Sequence, residues 1–146
     1  TLEKNFILIY TKIQRNASKI IRNINFNKKN ETLLNMVGQV DGFRKIFEGK
    51  SKIQNIGKLL DEGWKLKKNL STKNISNSRI DKMYSLAKKN GATGGKICGA
   101  GGGGFLLLYF DKKKKNKIKK IFKNFPFFDF QFDLTGSRIT YYDERS

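Results

Sequence analysis

Apolar positions along the 146-residue chain change their spacing several times, and each spacing predicts an element. Residues 6–11 open with Phe6, Ile7, Leu8, Ile9 and Tyr10, a short run rich in aromatic and β-branched side chains that suits a strand buried on both faces. Over residues 13–24, Ile13, Ala17, Ile20, Ile21 and Ile24 fall on one helical stripe, and Arg15, Ser18, Lys19 and Arg22 fall off it. After the polar stretch 25–30, Leu33, Leu34, Val37, Val40, Ile46 and Phe47 predict a second helix that stops at Gly49. Ile53, Ile56, Leu59, Leu60, Trp64, Leu66 and Leu70 predict a third from Ser51. Ser76 or Asn77 reads as the N-cap of a fourth, whose stripe is Ile80, Met83, Tyr84 and Ala87 and whose stop is Asn90-Gly91.

The glycine-dense segment 91–104 reads as a loop that delivers into residues 105–110, the most apolar run in the chain and a predicted central strand. A basic helix follows over 112–124, with Ile118, Ile121 and Phe122 on its apolar side, and Pro126 resets the chain. Phe128, Phe130 and Phe132 then alternate with polar residues as in a half-buried strand, and the turn Thr135-Gly136 predicts residues 137–142 as its hairpin partner. Strand, four helices, strand, helix, strand, strand is an α+β order: a four-stranded, mostly antiparallel sheet with helices over one face.

At roughly 150 residues per domain, this length makes one domain over residues 1–146. No window approaches the ~20 consecutive apolar residues of a membrane span, and the start lacks a signal-peptide pattern, so a soluble, cytoplasmic protein is expected. The chain begins with Thr1 and is already strand-like at Phe6, as a segment cut from a longer protein would be.

Charge and the reactive side chains narrow the chemistry. There is no histidine and a single cysteine, Cys98, which excludes Ser-His-Asp and Cys-His nucleophiles, an internal disulfide and a cysteine zinc cluster. A net charge of +19 puts nucleic acid or an anionic membrane first among partners by electrostatics alone. Yet 25 Lys, 14 Asn and 15 Ile together match the bias of an AT-rich coding sequence, which places most of that charge on solvated faces. Neither nucleic acid nor membrane is therefore expected to be a partner. The competing reading rests on residues 112–120, seven lysines in nine positions, which as a polyanion-binding module need aromatic stacking from Tyr109 or Phe127.

Composition does not account for residues 91–104, which hold eight of the fourteen glycines. Ordering glycine costs backbone entropy, so such a segment needs positive φ angles, close backbone packing or a nest of N–H groups for phosphate. A P-loop is excluded, because Gly95-Lys96 has Asn90 where the first glycine belongs and Ile97 where Ser or Thr belongs. Gly99-x-Gly101-x-x-Gly104 matches the dinucleotide fingerprint in letters only, since it follows a helix and opens a strand.

The segment from Gly94 to Phe105 resembles the third conserved motif of the GHMP kinases, in the form closest to the D-glycero-D-manno-heptose 7-phosphate kinases. Tyr10-Thr11-x-x-x-Arg15-x-Ala17-Ser18, Glu62-Gly63-Trp64-x-x-Lys67, Ile75-Ser76-Asn77-x-Arg79-Ile80-Asp81 and Gly136-Ser137-Arg138-Ile139 are similar to further segments in the same order. The resemblance implies a ferredoxin-like type of antiparallel four-stranded sheet and the C-terminal domain of a sugar kinase that uses ATP and Mg²⁺. It also implies a partner: the N-terminal domain that holds the nucleotide, the catalytic group and the Mg²⁺ ligand, none of whose motifs occurs here. The implied substrate is a sugar phosphate. On this resemblance Gly99, Ala100, Gly101 and Gly102 form the backbone that approaches the phosphates, and this chain supplies no catalytic residue or metal ligand. Lys96 and Arg15 become substrate-phosphate cations, and Arg138 either shares that work or pairs with Asp133 or Asp143. Ser18 and Arg79 are weaker candidates, and Cys98 reads as small core filler. The alternatives are another sugar kinase of the family, such as one for fucose, and a non-catalytic basic module on the same fold.

Overall fold

The computed structural model describes residues 2–22, 29–70 and 75–139. In chain order its elements are β1 (Phe6–Tyr10), α1 (Ala17–Arg22), α2 (Asn30–Phe47), α3 (Asn55–Leu70), α4 (Ser78–Lys89), β2 (Ala92–Ile97), β3 (Phe105–Phe110), α5 (Lys115–Ile121) and β4 (Phe127–Phe128). Single 3₁₀ turns precede β1 and α5. The sheet order is β2-β3-β1-β4 and every pair is antiparallel. With helices between β1 and β2 and again between β3 and β4, this is the ferredoxin-like interleaving of two crossovers, an α+β fold as expected.

Register divides the core. Ile7 faces Leu108 and Ile9 faces Leu106 across β1 and β3, so these four side chains share one face of the sheet. They pack there with Ile80, Met83 and Ala87 of α4, Ile118 of α5 and Phe122 just after it, and Trp64 and Leu70 of α3. At about 1.5–3 kcal/mol for each large apolar side chain buried, this face supplies most of the driving force. The opposite face is covered only in part, where Phe6 and Tyr109 meet Ile46 and Ile56 of α2 and α3. Asn77 caps α4 as expected, accepting from the N–H groups of Arg79 and Ile80.

Three elements depart from the pattern. Residues 92–97 form a strand although they read as loop. Gly94 and Gly95 have little intrinsic strand preference, but they are required here because α3 lies so close that a Cβ on Gly94 would stand 1.7 Å from the Gly57 carbonyl oxygen. The predicted first helix begins only at Ala17, since the backbone before it is committed elsewhere: Lys12 adopts φ 57° and the Ile13 carbonyl accepts from Gly104 N–H. Asn23 and Ile24, at its expected end, lie outside the described residues.

The alternating phenylalanines form only a two-residue strand, Phe127 and Phe128, opposite Ile9 and Leu8. Asp129 is drawn to Lys115 and Lys119 at 2.7 and 3.0 Å, and Phe130 and Phe132 leave the ladder to pack their rings on Phe6. Residues 137–139 carry no strand, which corrects the predicted hairpin as far as they go, and Thr140, Tyr141 and Tyr142 lie outside the described residues. The fourth strand of the sheet is therefore β2 rather than a C-terminal hairpin arm. No described helix is long and apolar enough to cross a membrane.

Candidate functional site

The connection from β2 to β3, residues 98–104, is closed at its base by Cys98 N–H donating to the Phe105 carbonyl at 2.9 Å. Its carbonyls are held from several directions. Gly104 O accepts from both the N–H and the hydroxyl of buried Thr11, at 2.9 and 2.8 Å. Gly101 O accepts from Arg15 Nη1 at 2.8 Å, Gly102 O from Asn77 Nδ2 at 3.3 Å, and Gly99 O from Lys67 Nζ. Gly102 N–H donates to the Ile75 carbonyl at 2.8 Å. Among the described residues, none accepts from the N–H groups of Gly99, Ala100 or Gly101.

Gly101 has φ +103°, and a Cβ there would stand 2.8 Å from the Ile75 carbonyl oxygen, so both conformation and space demand glycine. Tying the carbonyls to side chains while leaving consecutive N–H groups unspent is the arrangement of an anion nest.

Cations surround the loop. Lys96 is half-buried on β2 opposite Leu107, Lys67 extends from the C-terminal half of α3, and Arg15 lies beyond β1 with its guanidinium beside Gly99 and Gly104. None of the three pairs with a carboxylate among the described residues. Burial, reinforced by the charges of Lys96 and Arg15, holds the Lys67 ammonium down at about 8. Burial pushes the Cys98 thiol up, and the three neighbouring cations oppose that shift without reversing it. Cys98 is thus a thiol at neutral pH rather than a nucleophilic thiolate.

A buried network fixes α3, and with it Lys67. Asp61 accepts from Tyr84 Oη of α4 at 2.5 Å and pairs with Lys65 at 2.8 Å and Lys88 at 3.3 Å. Lys88 also donates to the Thr93 carbonyl of β2 at 2.7 Å. Burial alone would raise the Asp61 carboxyl, but the hydrogen bonds from Lys65 and Tyr84 and the charge of Lys88 bring it below the usual value. Between α2 and α3 a cavity of about 210 Å³ is walled by Met36, Gln39, Val40, Phe43, Leu59, Leu60 and Gly63, with Lys67 and Lys96 also in its lining.

The structure brings Gly99, Ala100, Gly101, Gly102, Lys96 and Arg15 together. Arg138 is not brought to them: it is exposed, and its guanidinium stands 3.8 Å from Asp133. Ser18 is exposed on α1, and Arg79 lies over the Phe125 ring at 5.7 Å. Lys67 and Asn77 lie in segments that resemble the family but are given no site role by the sequence, because Lys67 is one of three lysines between positions 65 and 68 and Asn77 reads as a cap. As for Mg²⁺, the described residues include no group of three or more His, Cys, Asp or Glu side chains that could hold a metal ion.

A ferredoxin-like α+β sheet thus carries a cation-ringed glycine loop on its β2–β3 connection, an arrangement suited to an anionic group. Residues 43–126 match the family profile for the GHMP kinases, C terminal, and the chain belongs to that family. The mevalonate kinase of Methanococcus jannaschii has a similar fold, with a TM-score of 0.71 and 23% identity over 87% of this chain and 39% of that one. A Streptococcus pneumoniae phosphomevalonate kinase, solved with phosphomevalonate and AMPPNP, gives a TM-score of 0.68 and 22% identity over 82% of this chain and 36% of its own. A D-glycero-D-manno-heptose 1-phosphate kinase from Bacteroides thetaiotaomicron gives 0.53 and 20% over 90% of this chain and 33% of its own. At these identities the likeness is one of fold. The chain spans about two fifths of the length of the first of these proteins. It matches no curated protein sequence.

Proposed function

We propose that this chain is the C-terminal domain of a cytoplasmic, ATP-dependent sugar kinase that phosphorylates D-glycero-D-manno-heptose 7-phosphate at its anomeric hydroxyl. The reading is carried by one observation, the loop whose carbonyls are tied back to Thr11, Arg15, Lys67 and Asn77 while, among the described residues, nothing accepts from the N–H groups of Gly99, Ala100 and Gly101. Phosphoryl transfer is accelerated chiefly by positioning and by stabilising charge on the transferring group, so such a loop contributes without containing an acid or a base. ATP supplies the phosphoryl group. In this reading the nucleotide, the catalytic group and Mg²⁺ are held by an N-terminal domain, and this chain by itself does not turn over. The heptose rests on the sequence motif from Gly94 to Phe105.

The basic-module alternative is weakened by the state of the lysine run. Lys115 and Lys119 are paired with Asp129, Lys119 also lies 5.0 Å from the centroid of the Phe127 ring, and Tyr109, the other aromatic offered for stacking, is buried.

The test is to express the reading frame extended upstream of Thr1 and to assay ATP-dependent phosphorylation of heptose 7-phosphate beside mevalonate. Turnover of the heptose with Lys96→Ala lowering kcat/KM by about tenfold or more, equivalent to about 1.4 kcal/mol, is the expected result. Turnover of mevalonate alone removes the heptose, and wild-type kinetics in Lys96→Ala removes Lys96 from the site.

A further inference from the structure

Sequence resemblance pairs Lys96 with Arg15, but the structure gives Arg15 other work. One of its N–H groups is bound to Gly101 O, and the guanidinium lies against Gly99 and Gly104. Lys67 is placed differently. An ammonium has three donors; one is taken by Gly99 O, which fixes its direction, and two remain. Lys67 and Lys96 both line the α2–α3 cavity, whose remaining walls carry no charge. Two ammonium groups are thus held near one another with no carboxylate paired to either among the described residues, and burial together with the charge of Lys96 disfavours the charged form of Lys67. An anion between them offsets that effect at Lys67.

We propose that the phosphate of the acceptor substrate binds between Lys67 and Lys96 at the charged part of the α2–α3 cavity, with Arg15 serving to hold the loop. This rests on the reading of the loop as an anion site. The cavity walls supplied by Met36, Gln39, Val40 and Phe43 of α2 and by Leu59 and Leu60 of α3 flank the substrate body.

The surroundings of Lys67 provide the readout. Facing it are Lys96 from β2, Arg15 from the segment after β1 and the Cys98 thiol from the loop, while α2 contributes only neutral side chains to the cavity. A bound dianion favours the charged ammonium and raises its pKa in the complex. Affinity is therefore complete below about 8 and falls as pH rises through that value. A lysine that merely holds the Gly99 carbonyl gives no such dependence, because a neutral amine still donates a hydrogen bond.

The experiment is calorimetric titration of the 146-residue chain with sodium sulfate, whose charge is constant over the range, at fixed ionic strength between pH 6.5 and 9.5. Wild-type affinity is expected to fall about tenfold between pH 7 and pH 9. Lys67→Arg should bind with a flat profile, because arginine stays charged. Lys67→Met and Lys96→Met should each lose about tenfold at pH 7. A flat wild-type profile, or undiminished binding by Lys67→Met while Lys96→Met loses it, overturns the assignment of Lys67 and leaves the loop reading standing. Absence of sulfate binding by wild type at pH 6.5 overturns both.

Discussion

Replacing Gly94 by alanine tests the contact that places the site. The added Cβ would lie 1.7 Å from Gly57 O, 2.7 Å from Gly57 C and 3.0 Å from Asp61 N, all backbone atoms of α3 that no rotamer change can move. The closest distance real Cβ atoms show is about 3.0 Å, so α3 must retreat from β2 by about 1.3 Å, and overpacking of this kind costs about 1–3 kcal/mol. The retreat also stretches the 2.5 Å bond between Tyr84 and Asp61, and weakening a buried bond to a charged group adds about 1–3 kcal/mol. A total near 3–4 kcal/mol is a large part of the roughly 5–15 kcal/mol that holds a domain folded.

Urea unfolding followed by the fluorescence of Trp64, the single tryptophan and 1% exposed, reads this directly. With a slope of about 2 kcal/mol per molar urea, the midpoint should fall by about 1.5–2 M. The sulfate affinity of the surviving folded protein should fall as well, because Lys67 moves with α3. Gly57→Ala should act in the same direction more weakly, since its nearest clash, 2.0 Å from Thr93 Oγ1, is with a side chain on an exposed residue. A Gly94→Ala midpoint within about 0.3 M of wild type, a difference of well under 1 kcal/mol, would refute the backbone-to-backbone placement of α3 and the geometry drawn from it.

Two further outcomes follow from the same structure. Asp61→Asn should lower stability at pH 7 by about 2 kcal/mol, since Tyr84, Lys65 and Lys88 lose a charged acceptor in a residue only 9% exposed. Because the folded carboxyl lies below its unfolded value, that stability is present above pH ~4 and is lost as pH falls through the folded pKa; the difference between the two urea midpoints should be smaller at pH 3 than at pH 7, and a constant difference contradicts the assignment. Gly38→Ala, on α2 with nothing within 4 Å of the added methyl, should raise stability by about 0.5–1 kcal/mol and the melting temperature by a few degrees, as calorimetry would show.

Period and caps carried most of the fold. The central strand of residues 105–110 was legible because six apolar residues in a row leave no polar face, and α4 because Asn77 precedes a clean stripe of Ile80, Met83, Tyr84 and Ala87. The strand β2 was not legible, since Gly94 and Gly95 are chosen by the approach of α3, a contact between residues 37 positions apart that leaves no trace in local propensity. The overlong reading of the C-terminal strand has a similar origin: Phe130 and Phe132 alternate correctly, but their rings are claimed by Phe6 and the backbone by the ion pairs of Asp129.

The site divides along the same line. Glycine density and the motif around Lys96 are properties of the chain, and they are enough to mark the loop and the family. Which cations face it is a property of the packing. Arg15 is close in sequence to the motif of β1 and is held by the loop carbonyl of Gly101, while Lys67, 32 residues from Gly99, is carried there by a helix seated on two glycines and pinned by Asp61. Local sequence fixes conformation within a few residues, through φ, caps and hydrophobic period. The meeting of charges from separate elements depends on how closely those elements approach, and here that distance was set by the absence of a side chain at Gly57 and Gly94.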